Sequence, residues 1–403
     1  MRFHTLLLVS LALPAAAQAQ GRYPLTIGTR DSIQSGVLKE KRRYLVYTPP
    51  SYSDTLFAPQ RYPVLYLLDG DAHFHSVTGL IQILGTGING TYAVPEMLVV
   101  AIPNTDRTRD MTPTKVEKGF DGKPAPGLRT SGGMANFLSF IKSELIPHID
   151  SSYRTTPYRI FVGHSLGGIT VINALYTIPE TFNAYVAIDP SLWWDDKVLL
   201  KPTKDLIAKS DYTHKVLYLG QANTLNPDDT SSANQHFNAM LQFNSVVESY
   251  NTSGLRYGYK YYGNDDHGSV PLITEYDALR FIFDGYRLDL GRVLANPSLL
   301  PEHYRNISAK LGATFQPSEA MVLQLAGFAI GQDTSKAIGL YEVGTQLYPN
   351  AYRSYDRLGA LWAAKGNKPK AIENYQRSLA LNPANTVSAE KLKGLQQGEA
   401  GRR

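Results

Sequence analysis

The stretch "RIFVGHSLGGITVINALY" (residues 159–176) joins an apolar run to a serine framed by glycines, and then to a run with helical spacing. Within it, Gly163-His164-Ser165-Leu166-Gly167 fits the pattern G-x-S-x-G, in which a strand turns sharply into a helix with the serine at a strained apex. A side chain at 163 or 167 would collide with its neighbours. The hydroxyl of Ser165 would then stand clear of the sheet, and the next amide, that of Leu166, would point at a developing oxyanion. The helix N-terminus behind it adds favourable partial charge. Glycine–serine turns are common. The strand before and the helix after are what make Ser165 a candidate nucleophile.

The chain around this turn repeats the same alternation. "YPVLYLLDG" (62–70), "EMLVVAIP" (96–103), "YRIFVGHS" (158–165), "FNAYVAIDP" (182–190) and "HKVLYLGQAN" (214–223) are apolar runs that end in turn or polar residues. Helix-like segments such as "MANFLSFIKSELIPHI" (134–149) lie between them. Near-continuous apolar strands separated by helices imply an α/β fold with a mostly parallel sheet covered on both faces. "EKRRYLVYTPPSY" (40–52) reads as an antiparallel edge strand closed by two prolines. After about residue 286 the strand signal stops. Ala337-Ile338, Tyr341, Leu347 and Pro349 recur 34 residues later as Ala371-Ile372, Tyr375, Leu381 and Pro383, which is the tetratricopeptide period. The second copy is well formed, with Leu358, Gly359, Trp362 and Gly366 at the expected offsets; the first copy is degenerate in its first helix. About three such units are needed for independent stability, so this region is expected to pack on the first domain or on a protein partner. The organisation expected is a signal peptide over 1–19, an α/β domain over 20–290, a linker over 291–315 and a small all-α, tetratricopeptide-like region over 316–403.

Composition narrows the classes. The 403-residue chain carries a net charge of +5 with no basic block, which argues against nucleic-acid binding. "MRFHTLLLVSLALPAAAQAQG" has a basic start, an apolar run and Ala17-Gln18-Ala19 at a cleavage site. It reads as a secretory signal and is too short to span a bilayer. The expected location is therefore secreted or periplasmic. There is no cysteine, so neither a lipid-anchor cysteine nor a cysteine-based metal site is available.

A serine hydroxyl needs a base at neutral pH, and in this kind of turn the chain order is serine, acid, histidine. Of the nine histidines, His214, His236, His267 and His303 lie downstream. His214 opens a strand, His236 falls on a helix-like segment and His303 follows the sheet domain. His267 sits in the polar loop "YYGNDDHGSVPL" (261–272), where a base should hang beyond a late strand. For the acid, the loop "TLNPDDTSS" after "VLYLGQAN" supplies Asp229, with Asp228 next. A Ser–His pair without a carboxylate stays open, because Asn223 stands at the strand end. The second oxyanion donor is expected in "LYLLDGDAHF" (65–74), from the amide of Asp71 or Ala72.

"YPVLYLLDGDAHF", "AIPNTDRTRDMTP" (101–113), "SGGMANFLSFIKSELIPHID" (131–150), "GHSLGG", "DPSLWWD" (189–195) and "DDHGSVPL" together resemble the esterase D-like putative-esterase family, and within it the branch of periplasmic siderophore esterases. The resemblance covers about residues 35–286. It implies an α/β-hydrolase fold, no metal cofactor, a small-molecule ester substrate and hydrolysis through an acyl-enzyme, with Ser165 as nucleophile and His267 as base. The family also holds thioesterases and carbohydrate-ester hydrolases, so acetyl or feruloyl esters are alternative substrates. Relatives often carry a glutamate near the position of Asn223. Three side features bear on the substrate pocket. Arg107 would either clamp an anionic oxygen or pin its loop through an acid; Trp193 and Trp194 would wall the pocket or close the core; His164 would face the pocket or the core. A rival reading of another class is an inactive hydrolase fold serving the helical repeat as a binding scaffold.

Overall fold

The computed structural model describes residues 25–86, 92–118, 123–228 and 234–400. The expected signal peptide lies outside them, as does Asp229. Eight strands form one sheet: β1 (Thr29–Gln34), β2 (Lys41–Tyr47), β3 (Tyr62–Leu67), β4 (Leu98–Ala101), β5 (Thr155–His164), β6 (Ala184–Ile188), β7 (Val216–Ala222) and β8 (Arg256–Tyr262). Their order is β1-β2-β4-β3-β5-β6-β7-β8. β1, β2 and β4 pair antiparallel, and β4 through β8 run parallel. Every residue of β3, β4, β6 and β7 is buried, as their unbroken apolar runs require of strands covered on both faces. β2 is not the edge. β1, the polar stretch "TRDSIQ", pairs with it outside; half-exposed and lacking an apolar run, it carried no strand signal.

Helices that matter for the site follow the parallel strands: α1 (Gly70–Gly85) after β3, α2 (Leu166–Thr177) after β5, α3 (Gln235–Tyr250) after β7 and α4 (Val270–Ile282) after β8. The carboxyl ends of the parallel strands therefore gather Asp69, Ser165, Asp189, Asn223 and the loop to His267 along one rim, where ligands of such sheets bind. Separate apolar cores fill the two faces, one around Ile81, Val186 and Ile282, the other around Phe137, Ile172 and Phe243.

The expected linker is instead two helices, α5 (Leu290–Ala295) and α6 (Leu299–Leu311). Leu300, Tyr304, Ile307 and Leu311 follow helical spacing and are buried in the core shared with the sheet. Beyond them α7 (Glu319–Ile330) pairs with α8 (Thr334–Leu347), and α9 (Tyr352–Ala364) pairs with α10 (Lys368–Leu381), before α11 (Thr386–Ala400). In the second hairpin Tyr375 lies on Gly359, where a Cβ would sit 2.8 Å from the ring. Phe315 meets Tyr158 of β5 at 5.3 Å between ring centres, and Phe283 and Tyr286 at 6.2 and 6.1 Å. The buried Glu319 accepts the Ala58 amide at 2.6 Å. The tail thus packs on the first domain through continuous apolar surface. Among the described residues no helix is long and apolar enough to cross a membrane.

Leu300 tests the reading of this segment. Leu300→Ala should cost about 3 kcal/mol, the usual range for a fully buried leucine, read as a lower denaturant midpoint in a single transition that takes sheet and tail together. A linker residue would cost less than about 0.5 kcal/mol.

Candidate active site

Ser165 stands at φ 59°, ψ −114° between β5 and α2, a strained conformation of the kind that clusters at functional sites. The turn is tight enough that a Cβ on Gly163 would lie 2.4 Å from the Gly167 carbonyl oxygen. The Ser165 amide donates to Ile188 O at 2.9 Å, and its carbonyl accepts from the Ser191 amide at 3.1 Å. The two hydroxyls, Ser165 Oγ and Ser191 Oγ, are 3.1 Å apart. The elbow is therefore tied to the end of β6, the neighbouring strand.

That strand supplies the acid. His267 Nδ1 is 2.5 Å from Asp189 Oδ2; Asp189 follows β6 directly, at φ 40°. Asp228, by contrast, is exposed in its loop, where its amide donates to Asn226. The carboxylate on His267 is thus Asp189, at the end of β6, one strand earlier than the loop of Asp228 and Asp229 where the acid was expected. β6 lies beside β5 in the sheet, so its carboxyl end is closer to Ser165 than that of β7. The signal was visible: an aspartate closing the apolar run "AYVAI", between serine and histidine in chain order. Asp189 is completely buried. Its Oδ1 accepts the Ala222 amide at 2.8 Å, and Oδ2 also meets His236 Nε2 at 2.9 Å. Burial pushes its pKa upward, but the hydrogen bonds from His236 and His267 outweigh this and hold it well below the usual carboxylate range. Being ionised, the carboxylate can only accept. His267 Nδ1 is then the donor.

The loop that brings His267 back over the sheet is pinned at Asn223. Its amide donates to Asp265 O at 2.8 Å and its side chain to Gly263 O at 3.1 Å. Asp266 Oδ1 accepts from the Gly268 and Ser269 amides, which turns the loop into α4. Asn223 thus anchors the loop that carries His267.

Opposite, Asp69 (φ 51°) closes β3, and α1 begins at Gly70. The Ala72 amide is bonded to Asp69 O at 2.9 Å. Asp71, like Leu166 at the start of α2, lies in a first helical turn, where amides have no intrahelical acceptor. Arg107 grips Asp69 with both arms of its fork, Nε to Oδ1 at 2.6 Å and Nη2 to Oδ2 at 2.9 Å, and Nη2 also donates to His164 O at 3.1 Å. Burial raises the Asp69 pKa, yet Arg107 and Asn104 bring it below its ordinary value. Arg107 is therefore a brace between the two expected oxyanion loops, with its fork occupied. Its neighbour Arg109 binds Asp110 and Glu40.

His164 fills the space behind the rim. Its ring lies 4.4 Å from that of His267 and 5.9 Å from that of His73. Burial, reinforced by His267 and His73, depresses its pKa to about 4, so it is neutral at pH 7. Glu275 of α4, 3.9 Å from His73 Nδ1, is buried without a hydrogen-bond partner for either oxygen. Burial pushes its pKa up to about 8. Of the two tryptophans, Trp194 is buried and donates to Thr114 Oγ1 at 3.1 Å. Trp193 is half-buried and, with Lys118, Leu128, Trp194 and Gln235, lines a cavity of about 800 Å³, a size suited to a small organic substrate. Asp189, His236 and His267 each present a ligand atom within 4.8 Å of the others. Their carboxylate–imidazole contacts are at hydrogen-bond distance, closer than the roughly 3.3 Å edges of a tetrahedral zinc site.

The sheet, the strained serine turn and the His–Asp pair at its rim define an α/β-hydrolase. The chain belongs to the family described as "Putative esterase", whose family model matches residues 35–247, and it is an esterase by that membership. It is 30% identical over 271 residues to the ferri-bacillibactin esterase BesA of Bacillus subtilis, covering 62% of this chain and 89% of the relative. It is 27% identical over 243 residues to a siderophore enterobactin esterase of Emericella nidulans, covering 51% of this chain and 77% of the relative. Among solved structures, an IroE-like serine hydrolase from Shewanella oneidensis superposes with a TM-score of 0.71 at 32% identity, over 79% of this chain and 99% of that one.

Glu275 predicts a pH effect. Its carboxyl is protonated in the fold to about pH 8, but titrates near 4.5 when unfolded. Its contribution is complete below about pH 4.5 and falls as pH rises toward 8. Glu275→Gln should remove that slope. The stability difference between variant and wild type should grow from near zero at pH 4.5 to on the order of 2–5 kcal/mol at pH 8, followed by denaturant titration across that range.

Proposed function

We propose that this chain is an exported serine carboxylic-ester hydrolase that works through an acyl-enzyme on siderophore-type esters. The observation that carries the reading is the 2.5 Å bond from His267 to the buried Asp189, with the His267 ring against that of His164, the residue before Ser165. Ser165 Oγ turns from Ser191 toward His267 Nε2 and gives up its proton there as it attacks the ester carbonyl. Asp189 holds the imidazole in the Nδ1–H tautomer and stabilises the imidazolium. The amides of Leu166 and Asp71 receive the oxyanion, each donor worth about 3 kcal/mol. His267 Nε2 then protonates the departing alcohol. Water, losing its proton to His267, attacks the acyl-enzyme, and the second collapse returns that proton to Ser165 as the acid leaves.

The relatives' names support the substrate class, and the cavity lined by Trp193, Trp194 and Lys118 has room for a ligand of that size range, with Trp193 offering an aromatic face and Lys118 a positive charge. The signal-like N-terminal segment supports export. The helical tail reads as a tetratricopeptide-like pair of hairpins.

Ser165→Ala should lower kcat by at least about 10⁴-fold and abolish labelling by a fluorophosphonate. Asp189→Asn should lower kcat about 10³- to 10⁴-fold, whereas Asp228→Asn keeps wild-type rates. Rates on catecholate siderophore, acetyl-sugar, feruloyl and thioester substrates test the substrate class; full hydrolysis by Ser165→Ala would exclude the mechanism.

A further inference from the structure

Asp189 is shared. His267 and His236 both bond to the same oxygen, Oδ2, at 2.5 and 2.9 Å, and their rings stand edge to face, 5.2 Å apart at 85°. His236 occupies the first turn of α3, a 16-residue helix, whose positive end suits a carboxylate. Its ring is mostly buried, and its Nδ1 is buried with no hydrogen-bond partner. A proton on that nitrogen would be a buried donor without an acceptor. Toward an acceptor-only carboxylate, His236 therefore donates from Nε2.

We infer that His236 is a positioning residue for hydrolysis: its Nε2–H fixes Asp189 Oδ2 in the plane of the His267 Nδ1–H, so that the base is aimed at Ser165. This rests on the assignment of Ser165, His267 and Asp189 above. The carboxylate needs such a tether. Asp189 sits in a left-handed backbone conformation at the end of a short strand, and the Ala222 amide holds only Oδ1. Without His236, Oδ2 keeps a single partner, one carried on a loop and 42% exposed. His236 lies next to Gln235 in the cavity wall, but its polar contact is to Asp189 and not to the cavity.

The test compares His236→Leu, which removes the donor, with His236→Gln, whose side-chain amide can place an N–H near the same point. His236→Leu should lower kcat about tenfold to a hundredfold, the range for a hydrogen bond to a charged group, with KM for a small ester unchanged. His236→Gln should return kcat to within about threefold of wild type. In the full-length protein, the downfield NMR resonance of the His267 Nδ1 proton should move in the leucine variant and return in the glutamine one. That readout, together with His236→Phe, which keeps more of the ring volume, covers a leucine variant that folds poorly. Equal losses in the Leu, Phe and Gln variants would reduce His236 to packing, and wild-type kcat in His236→Leu would overturn the proposal. Asp189→Asn separates the two levels. If it is crippled while His236→Leu is normal, only the role of His236 falls; if it is active, the assignment of the acid falls.

Discussion

A single buried carboxylate organises the rim of this sheet. Asp189 takes a backbone amide from β7, one imidazole from the loop after β8 and another from the first turn of α3. Three separately folded segments thus converge on two oxygen atoms. A carboxylate removed from water is costly unless each lone pair finds a donor, and here the donors are the groups whose placement matters. The bonds that neutralise the buried carboxylate also fix the positions of His267 and His236.

The opposite wall is organised in the same way, by the Arg107–Asp69 fork. Asp69 ends β3 and leads into α1, Arg107 follows β4, and the third contact of the guanidinium is the His164 carbonyl in the serine turn. A planar fork is suited to such a task because its donors are fixed relative to one another. The amides of Leu166 and Asp71, contributed by the first turns of two helices that follow different strands, are consequently held in one frame.

Much of the plan was legible in the sequence, for identifiable reasons. β3, β4, β6 and β7 are buried along their whole length because both faces of the sheet are covered, and Gly163 and Gly167 mark a turn that tolerates no side chain. His267 was visible because its loop is polar and follows the last strand. Asp189 closes an apolar run between serine and histidine, but its choice over Asp229 and Asp228 depends on which strands are neighbours, which chain order does not state. His236 was hidden because a histidine on a helix has no local signature, and its meaning comes from a residue 47 positions away. β1 is too polar to stand out, and α5 and α6 passed for a linker although Leu300, Tyr304, Ile307 and Leu311 carry a helical period.

Tyr158 lies on the strand that ends in the serine turn, and it touches Phe315 beneath the helical tail. The aromatic seam of Tyr158, Phe283, Tyr286, Tyr304 and Phe315 makes the join between sheet and helices a matter of shape fitting rather than of tethering. The helices are therefore not a detachable accessory. Removing them would bare an aromatic flank of the sheet, so a version of this fold without the helices needs a different surface there.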